Sequence, residues 1–257
     1  MELKLAGRTA LITGASKGIG LGIARRFAAE GCHLVLTARS QAALEVAAAS
    51  LRTAGAASVR TLALDLAEAA PRDALVAAAP DIDILVNNAG AIPGGGILDI
   101  DDTVWRRSWE LKVFGYINLT RAYFRLMSAR RRGVIINIVG SGGERLDAGY
   151  IAGSTGNAAL MAFSRALGAV SINAGVRVIA INPGPVETDR IITLSKDRAR
   201  RDLGDESRWR EAFAKLPYGR PAAVDEIAPM AVFLASDLAN YISGTVVTID
   251  GGIGNRP

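Results

Sequence analysis

The chain of 257 residues has very few of the side chains that build disulfides and thiolate metal sites. Its one cysteine, Cys32, excludes an internal disulfide and a thiolate cluster, which fits a reducing compartment. The one histidine, His33, opens a predicted strand away from the candidate site, and we interpret it as structural. No apolar run reaches the ~18 residues of a membrane span, and the first residues lack the apolar core of a signal peptide. We therefore expect a cytoplasmic protein with neither a metal site nor a membrane partner.

The composition indicates a single globular unit. Hydrophobic residues make up 50% of the chain and charged residues 21%, which is enough to bury one α/β core, so we expect one domain over residues 1–257. The net charge of +5 would suit nucleic acid, but it suits a phosphate-bearing cofactor or an acyl carrier equally well. The sequence contains no nucleic-acid-binding motif, and we expect no such partner.

Short runs rich in β-branched residues alternate with longer segments rich in Ala, Leu and Arg. Continuous apolar runs of this kind are typical of strands covered on both faces. The predicted strands are residues 9–13, 34–38, 59–64, 84–86, 134–139, 176–181 and 246–249. The predicted helices lie near residues 18–30, 41–54, 71–79, 102–131, 150–173 and 225–235. Strands threaded by helices through right-handed crossovers predict a doubly wound, Rossmann-type α/β fold with a seven-stranded parallel sheet.

The first predicted strand leads into a glycine-rich turn, Thr13-Gly14-Ala15-Ser16-Lys17-Gly18-Ile19-Gly20, and then into a helix. Such a turn lets the backbone approach a pyrophosphate, while the helix N-terminus supplies amide donors and a positive dipole. An ordinary strand-to-helix turn is the alternative. The position after the first strand of a βαβ unit favours dinucleotide binding. The predicted binding residues are Gly14, Ser16, Lys17, Gly18, Ile19 and Gly20.

The spacing TGxxxGxG resembles the short-chain dehydrogenase/reductase family, and the resemblance extends over almost the whole chain. It continues through Asp65-Leu66, Asn87-Asn88-Ala89-Gly90, the segment 182–188 and Asp250-Gly251-Gly252. The resemblance implies a nicotinamide-dependent oxidoreductase. It also implies three sets of cofactor contacts: Asp65 and Leu66 at the adenine, Asn88, Ala89 and Gly90 on the cofactor floor, and Pro183, Gly184, Val186 and Thr188 at the nicotinamide.

The end of the second predicted strand bears on the choice of cofactor. An acidic residue there would accept hydrogen bonds from the ribose hydroxyls and favour NAD(H), but this strand ends in Thr37-Ala38-Arg39. Arg39 would instead meet a 2′-phosphate, and Lys17 adds a second cation on the same side. Either cation alone would suit a solvated surface. Together they favour NADP(H) over NAD(H).

The helix after the fifth predicted strand lacks the Tyr-x-x-x-Lys pair that the resemblance would place there. Alignment on Ala158-Ala159-Leu160 puts Gly153 at the tyrosine position and Asn157 at the lysine position. Ser141 follows the fifth strand, where the family has a serine that binds the substrate oxygen. A serine in a glycine-rich turn also has a purely structural interpretation.

Tyr150 and Asn157 have the spacing Tyr-x6-Asn, which resembles the Tyr-x6-Lys arrangement of divergent enoyl reductases with Asn replacing Lys. Tyr150 would then be catalytic, since helix residues three apart lie on one face; otherwise it packs the entrance. Seven residues after Trp105, where the family has its active-site asparagine, lies Lys112. We hypothesise that Lys112 reaches Tyr150 and the nicotinamide ribose and favours the ionised tyrosine, while Asn157 holds the ribose hydroxyl. The alternative is that Lys112 pairs with Glu110 or points outward.

The stretch 188–220 is charged, has no strand pattern and is too long for a simple connection. It corresponds to the family's substrate loop and mixes cationic with apolar side chains: Arg190, Lys196, Arg198, Arg200 and Arg201 with Ile191, Ile192, Leu194 and Trp209. We expect it either to clamp an anionic or acyl-thioester substrate beneath a lid or to be a solvated helix face.

Three functions stay open at this point. The leading one is an NADP(H)-dependent oxidoreductase acting on a small carbonyl or alcohol compound. The second is an enoyl-thioester reductase that uses Tyr150, and the third is a catalytically inactive NADPH-binding scaffold or sensor. The resemblance further implies a homodimer or homotetramer, built through the helices near Asp102 and Tyr150 and through the C-terminal strand.

Overall fold

The computed structural model describes residues 2–256, and its strands lie where the apolar runs predict them. The strands are β1 (Thr9–Thr13), β2 (His33–Ala38), β3 (Ser58–Ala63), β4 (Ile84–Asn87), β5 (Gly133–Ile138), β6 (Val176–Pro183) and β7 (Val246–Ile249). They form one parallel sheet in the order β3-β2-β1-β4-β5-β6-β7. The order reverses direction between β1 and β4, and ligands of such sheets bind in the crevice at that point.

Eight α-helices connect the strands within residues 2–256. They are α1 (Gly18–Ala29), α2 (Gln41–Thr53), α3 (Ala69–Ala78), α4 (Asp102–Trp109), α5 (Gly115–Ala129), α6 (Ile151–Ser171), α7 (Asp189–Leu203) and α8 (Ala228–Ala235). The doubly wound seven-stranded fold is therefore confirmed. Among these helices, none combines the length and apolar composition needed to cross a lipid bilayer.

Alternate strand residues face opposite sides of the sheet, and each side is covered by helices. On β1, Ile12 packs into a core shared with Phe27 of α1, whereas Leu11 packs into a second core shared with Tyr123 of α5. Both faces of the central strands are therefore buried, which explains why these strands are continuously apolar.

Two helices differ from their predicted bounds. The predicted helix 102–131 is interrupted by a π-helical turn at Glu110–Phe114, between α4 and α5. The last predicted helix begins at Ala228 instead of residue 225, because Pro229 is accommodated only in the first turn of a helix. A 3₁₀ turn, Val224–Glu226, precedes it.

Buried Arg177 of β6 hydrogen-bonds to the C-terminal end of α8. Arg177, on β6, is only 4% exposed and donates hydrogen bonds to the carbonyl oxygens of Leu234 (2.7 Å) and Ser236 (2.9 Å). Burial lowers the pKa of its guanidinium to about 10. The carbonyl groups at a helix C-terminus have no intrahelical donor, so Arg177 satisfies groups that would otherwise be unpaired.

Candidate active site

A cleft of about 2080 Å³ opens at the carboxyl ends of the central strands. It is larger than the roughly 300–1,000 Å³ of a typical small-molecule pocket, so it has room for a dinucleotide together with a second molecule. Every site residue predicted from the sequence lines this cleft except Gly20. No cluster of three metal-ligating side chains occurs within residues 2–256.

The glycine-rich turn is held by Thr13 and Asn88. The Thr13 hydroxyl accepts hydrogen bonds from the backbone N–H groups of Asn88 (2.8 Å) and Ala89 (2.9 Å). The Asn88 side-chain amide donates to the carbonyl oxygens of Thr13 (3.0 Å) and Gly14 (3.2 Å). A Cβ at Gly20 would lie 2.4 Å from the Gly14 oxygen, so Gly20 shapes the turn from behind the cleft. The role of Thr13 as the anchor of β4 to this turn was not predicted from the sequence.

The turn directs the N-terminus of α1 at the cleft. Gly18 adopts a left-handed conformation with a φ of +57°, and the preceding Lys17 is extended. The Lys17 ammonium contacts the Asp189 carboxylate at 2.8 Å, and both side chains are largely exposed. The first amide groups of a helix lack intrahelical acceptors and carry a positive dipole, so this end of the cleft favours a phosphate.

Cationic and acidic side chains at the far end of the cleft lie where β2 and β3 end. Arg39 is exposed and forms no hydrogen bond or ion pair with any residue in the described chain. Asp65 accepts a hydrogen bond from the backbone N–H of Ala67 at 3.1 Å. The buried Arg72 donates to the Leu66 carbonyl oxygen at 2.8 Å and so fixes the backbone beside the cleft. Arg25 is a second exposed cation on this wall, and it could not be predicted because no motif marks it within α1.

The segment after β6 forms the opposite wall. The Gly184 N–H donates to the Ile249 carbonyl oxygen at 2.9 Å, and Val186 pairs with Ala222 in an isolated bridge. Pro183 ends β6, and Thr188 is the N-cap residue of α7. The four residues that the resemblance assigned to the nicotinamide thus line one continuous stretch of wall.

Tyr150 lies immediately before α6, as its N-cap residue, and not within its first turn. Its backbone pairs with Gly95, and its ring packs beside a cluster that includes Ile92 and Trp109. A Cβ built on Gly153 would lie 2.0 Å from the Cζ atom of this ring. The ring of Tyr150 therefore fills the space in which a side chain at position 153 would begin.

Asn157 is nearly inaccessible at 2% exposure and lies under the loop that follows β5. A Cβ on Gly140 would lie 3.2 Å from the Asn157 amide nitrogen, and a Cβ on Gly142 would lie 3.4 Å from it, so glycine at both positions leaves room for this side chain. The Asn157 Oδ1 atom is buried without a hydrogen-bond partner in the described chain.

Ser141 begins a short 3₁₀ turn, Ser141–Gly143, on the same loop. Its carbonyl oxygen accepts from the backbone N–H groups of Glu144 (3.0 Å) and Arg145 (2.9 Å). Its hydroxyl has no partner among residues 2–256 and lines the cleft. The turn is thus held by backbone bonds, which leaves the hydroxyl available to a ligand.

Lys112 lies in the π-helical turn between α4 and α5, a distortion that is frequent at functional sites. Its methylene groups pack on Gly90, whose Cβ would lie 2.8 Å from the lysine Cδ, and its Nζ donates to the Val139 carbonyl oxygen at 2.5 Å. The side chain is half-buried and lines the cleft. Burial, and to a smaller extent the charge of Arg190, lowers the pKa of Lys112 from 10.5 to about 7.

The structure brings Ser141, Tyr150, Lys112 and Asn157 to one end of the cleft. Lys112 does not pair with Glu110, and no hydrogen bond joins it to Tyr150 in the part of the chain described. The hypothesis of a Lys112–Tyr150 interaction therefore stays a prediction.

The segment after Thr188 forms a helical cover over this end. On α7, Arg198 contacts the Asp147 carboxylate at 3.3 Å, and Leu194 lies 3.5 Å from the Cβ position of Gly94. Arg190, in the first turn, donates to the Ile92 carbonyl oxygen. A 3₁₀ segment, Glu206–Lys215, follows α7.

Comparisons with known proteins agree with this geometry. A family model described as Enoyl-(Acyl carrier protein) reductase matches residues 14–254. Galactitol 2-dehydrogenase (L-tagatose-forming) of Cereibacter sphaeroides is 37% identical over 257 residues, which cover 97% of this chain and 96% of that protein. The chain belongs to the short-chain dehydrogenase/reductase family.

Other short-chain dehydrogenases/reductases match over the same length. The 3-oxoacyl-acyl-carrier-protein reductase FabG of Escherichia coli (strain K12) is 33% identical over 258 residues, covering 98% of this chain and 99% of FabG. The crystal structure of L-sorbose reductase from Gluconobacter frateurii, complexed with NADPH and L-sorbose, is 35% identical, covers 100% of both chains and gives a TM-score of 0.91. This short-chain dehydrogenase/reductase is therefore an oxidoreductase by family, with named dehydrogenases and reductases among its relatives.

Proposed function

We propose that the chain is an NADP(H)-dependent oxidoreductase that transfers a hydride between the nicotinamide cofactor and a small carbonyl or alcohol compound. The observation that carries this proposal is the ring of Tyr150 above Gly153, because it supplies a phenol at the start of α6, where Gly153 and Asn157 supply no ionisable group. When bound, the cofactor donates or accepts the hydride. The protein has to hold the substrate oxygen and move its proton.

The residues of the cleft fit this cofactor. The glycine-rich turn and the N-terminus of α1 suit the pyrophosphate, and the amide side chain of Asn157, a residue of the cleft lining, suits a ribose hydroxyl. At the adenosine end, Arg39 has no protein partner and Lys17 is exposed, so both can bind a 2′-phosphate. The related L-sorbose reductase, which matches over the full length, is a complex with NADPH.

Tyr150 acts as the general acid in reduction and as the general base in oxidation. Its hydroxyl forms no hydrogen bond with another described residue, so it is available to the substrate oxygen. The Ser141 hydroxyl donates a second hydrogen bond to that oxygen and stabilises the negative charge that develops there. Proton transfer by a positioned side chain contributes about 10²–10⁴-fold to the rate.

Lys112 and Asn157 exchange the roles that the resemblance assigns to a lysine and an asparagine. Lys112 enters from the π-helical turn at the end of the cleft that holds Tyr150, where its ammonium group would reach toward Tyr150 and the nicotinamide ribose. Asn157, which lines the cleft from α6, holds the ribose hydroxyl with its side-chain amide. We propose this exchange as the atypical active site of a family member that lacks the Tyr-x-x-x-Lys pair.

The remaining parts of the proposal concern the whole chain. Residues 1–257 form one cofactor-binding domain, and residues 188–220 cover the substrate, because α7 contacts the loop beside Tyr150. We also propose a homodimer or homotetramer in the cytoplasm. Light scattering coupled to a sizing column tests the assembly, and a monomer would contradict it.

The decisive experiment follows NADPH consumption over a panel of ketones, aldehydes and sugars. Tyr150→Phe should lower kcat by about 10²-fold or more, since it removes the proton donor and keeps the ring. The exposed Tyr218, outside the cleft, provides the matched control Tyr218→Phe, which should retain the parental rate. Near-parental turnover by both Tyr150→Phe and Lys112→Met would disprove the mechanism.

A second candidate is an enoyl-thioester reductase, in which Tyr150 stabilises the enolate formed after hydride addition. The spacing Tyr-x6-Asn and the description of the matching family model favour it. Turnover of crotonyl thioesters without reduction of ketones or oxidation of alcohols would select this function. Tight NADPH binding without consumption on either panel would instead select a cofactor-binding scaffold or sensor.

A further inference from the structure

Two cations near Tyr150 have no anionic partner. Arg190 and Lys112 both line the cleft, and neither lies within ion-pair distance, 4.0 Å, of a carboxylate in residues 2–256. Arg190 donates one N–H group to the Ile92 carbonyl oxygen, and Lys112 donates to the Val139 carbonyl oxygen. The two charges are close enough for Arg190 to disfavour the charged form of Lys112.

Two other arginines of α7 that line the cleft are paired with carboxylates. Arg198 pairs with Asp147 and Asp202, and Arg201 pairs with Asp202. A guanidinium has five N–H donors, so Arg190 retains donors that no described side chain accepts. Two like charges in a partly buried site repel each other, and an anion bound between them would relieve this repulsion.

Arg190 lies at the same end of the cleft as Tyr150, the proposed proton donor. It is bonded to the backbone of Ile92, and Ile92 packs in the same cluster as the ring of Tyr150. The sites that suit the cofactor phosphates lie elsewhere, at the N-terminus of α1 and at Arg39. An anion beside Arg190 is therefore most simply part of the substrate.

We propose that Arg190 and Lys112 bind the carboxylate of the substrate, so that the enzyme acts on an oxo acid or the corresponding hydroxy acid. This inference rests on the proposed reductase function and adds the substrate class to it. A carboxylate accepts two parallel N–H bonds from a guanidinium, which a neutral ester or sugar hydroxyl does not. The ketone oxygen of the same molecule would meet Ser141 and Tyr150.

The test compares one oxo acid with its neutral ester. Calorimetry measures the binding of 3-oxobutanoate and of methyl 3-oxobutanoate to the protein saturated with NADP⁺, which permits binding without turnover. We expect the acid to bind about tenfold or more tightly than the ester, the difference expected for a hydrogen bond to a charged group. Equal affinity, or tighter binding of the ester, would overturn the proposal.

Variants then assign the preference to one side chain. Arg190→Gln should bring the ratio of the two affinities close to one, whereas Arg190→Lys should keep part of it because the charge remains. Arg200 is the matched control: it lies on the same helix, is exposed, pairs with Asp197 and Glu206, and does not line the cleft, so Arg200→Gln should keep the full ratio. If Arg190→Gln leaves the ratio unchanged and weakens NADPH binding, the cation serves the cofactor and the proposal is wrong.

The two proposals fail in different ways. A protein that reduces ketones but does not prefer the acid disproves the carboxylate site and leaves the reductase function intact. The opposite outcome is a preference for the acid that depends on Arg190, with no NADPH consumption on any carbonyl compound. That outcome supports the anion site and disproves the reductase function.

Discussion

Replacing Lys112 by methionine should make the protein more stable and less active. The side chains are similar in length, so the methylene packing on Gly90 is largely kept, while the buried charge is removed. The cost of that charge follows from the pKa of Lys112, which burial lowers from 10.5 to about 7. At a pH below both values this difference corresponds to about 5 kcal/mol of lost stability.

The dependence on pH has a definite sign. Between pH 7 and pH 10.5 the unfolded chain holds a proton that folded Lys112 releases, so the stability of the parent protein rises with pH relative to the variant. The penalty is complete near pH 6 and falls to about 2 kcal/mol by pH 9. The difference in stability between variant and parent should therefore shrink by about 2–3 kcal/mol, or about 5–10 °C in Tm, across this interval.

The assay is urea unfolding of parent and Lys112→Met at pH 6 and pH 9, with thermal melts as a second measurement. Loss of the hydrogen bond to the Val139 oxygen reduces the gain in stability by about 1 kcal/mol. Because this loss is the same at both pH values, it does not change how the stability difference varies with pH. The exposed Lys215 supplies the control Lys215→Met, for which we expect no pH-dependent difference. The reasoning is refuted if Lys112→Met is less stable than the parent at pH 6. It is also refuted if the difference in unfolding free energy between variant and parent is the same at both pH values.

Three further predictions concern single side chains. Gly153→Ala should lower turnover about tenfold or more, because its Cβ displaces the Tyr150 ring. The free energy of unfolding should be kept, because alanine is the better helix former, and unchanged turnover would contradict the prediction. Arg39→Ala should raise the KM for NADPH about tenfold with little effect on NADH, and an equal effect on both cofactors would argue against a 2′-phosphate contact. Arg177→Met should destabilise the fold by about 3 kcal/mol in urea unfolding, since it leaves the carbonyl oxygens of Leu234 and Ser236 unpaired; a change below about 1 kcal/mol would show that they find other donors.

The sheet and the cofactor cleft were predictable because their signals are local. The apolar runs specify buried parallel strands, and the glycine-rich turn specifies a left-handed backbone at Gly18, which glycine adopts without a steric penalty. The exchange of Lys112 with Asn157 is proposed from the spacing of motifs along the chain and stays a prediction. The interruption of the helix 102–131 could not be predicted, because the π-helical turn that carries Lys112 has no separate signature in the sequence.

The sequence by itself determined the fold, the phosphate-binding turn and the absence of the Tyr-x-x-x-Lys pair, since each depends on residue type at a fixed local spacing. Only the tertiary structure decided where the functional groups point. The Tyr150 ring lies over Gly153 because its backbone pairs with Gly95, and Arg190 reaches the Ile92 carbonyl oxygen because α7 folds back onto this part of the chain. Contacts between such distant parts of the chain depend on how the elements pack, and no local pattern records them.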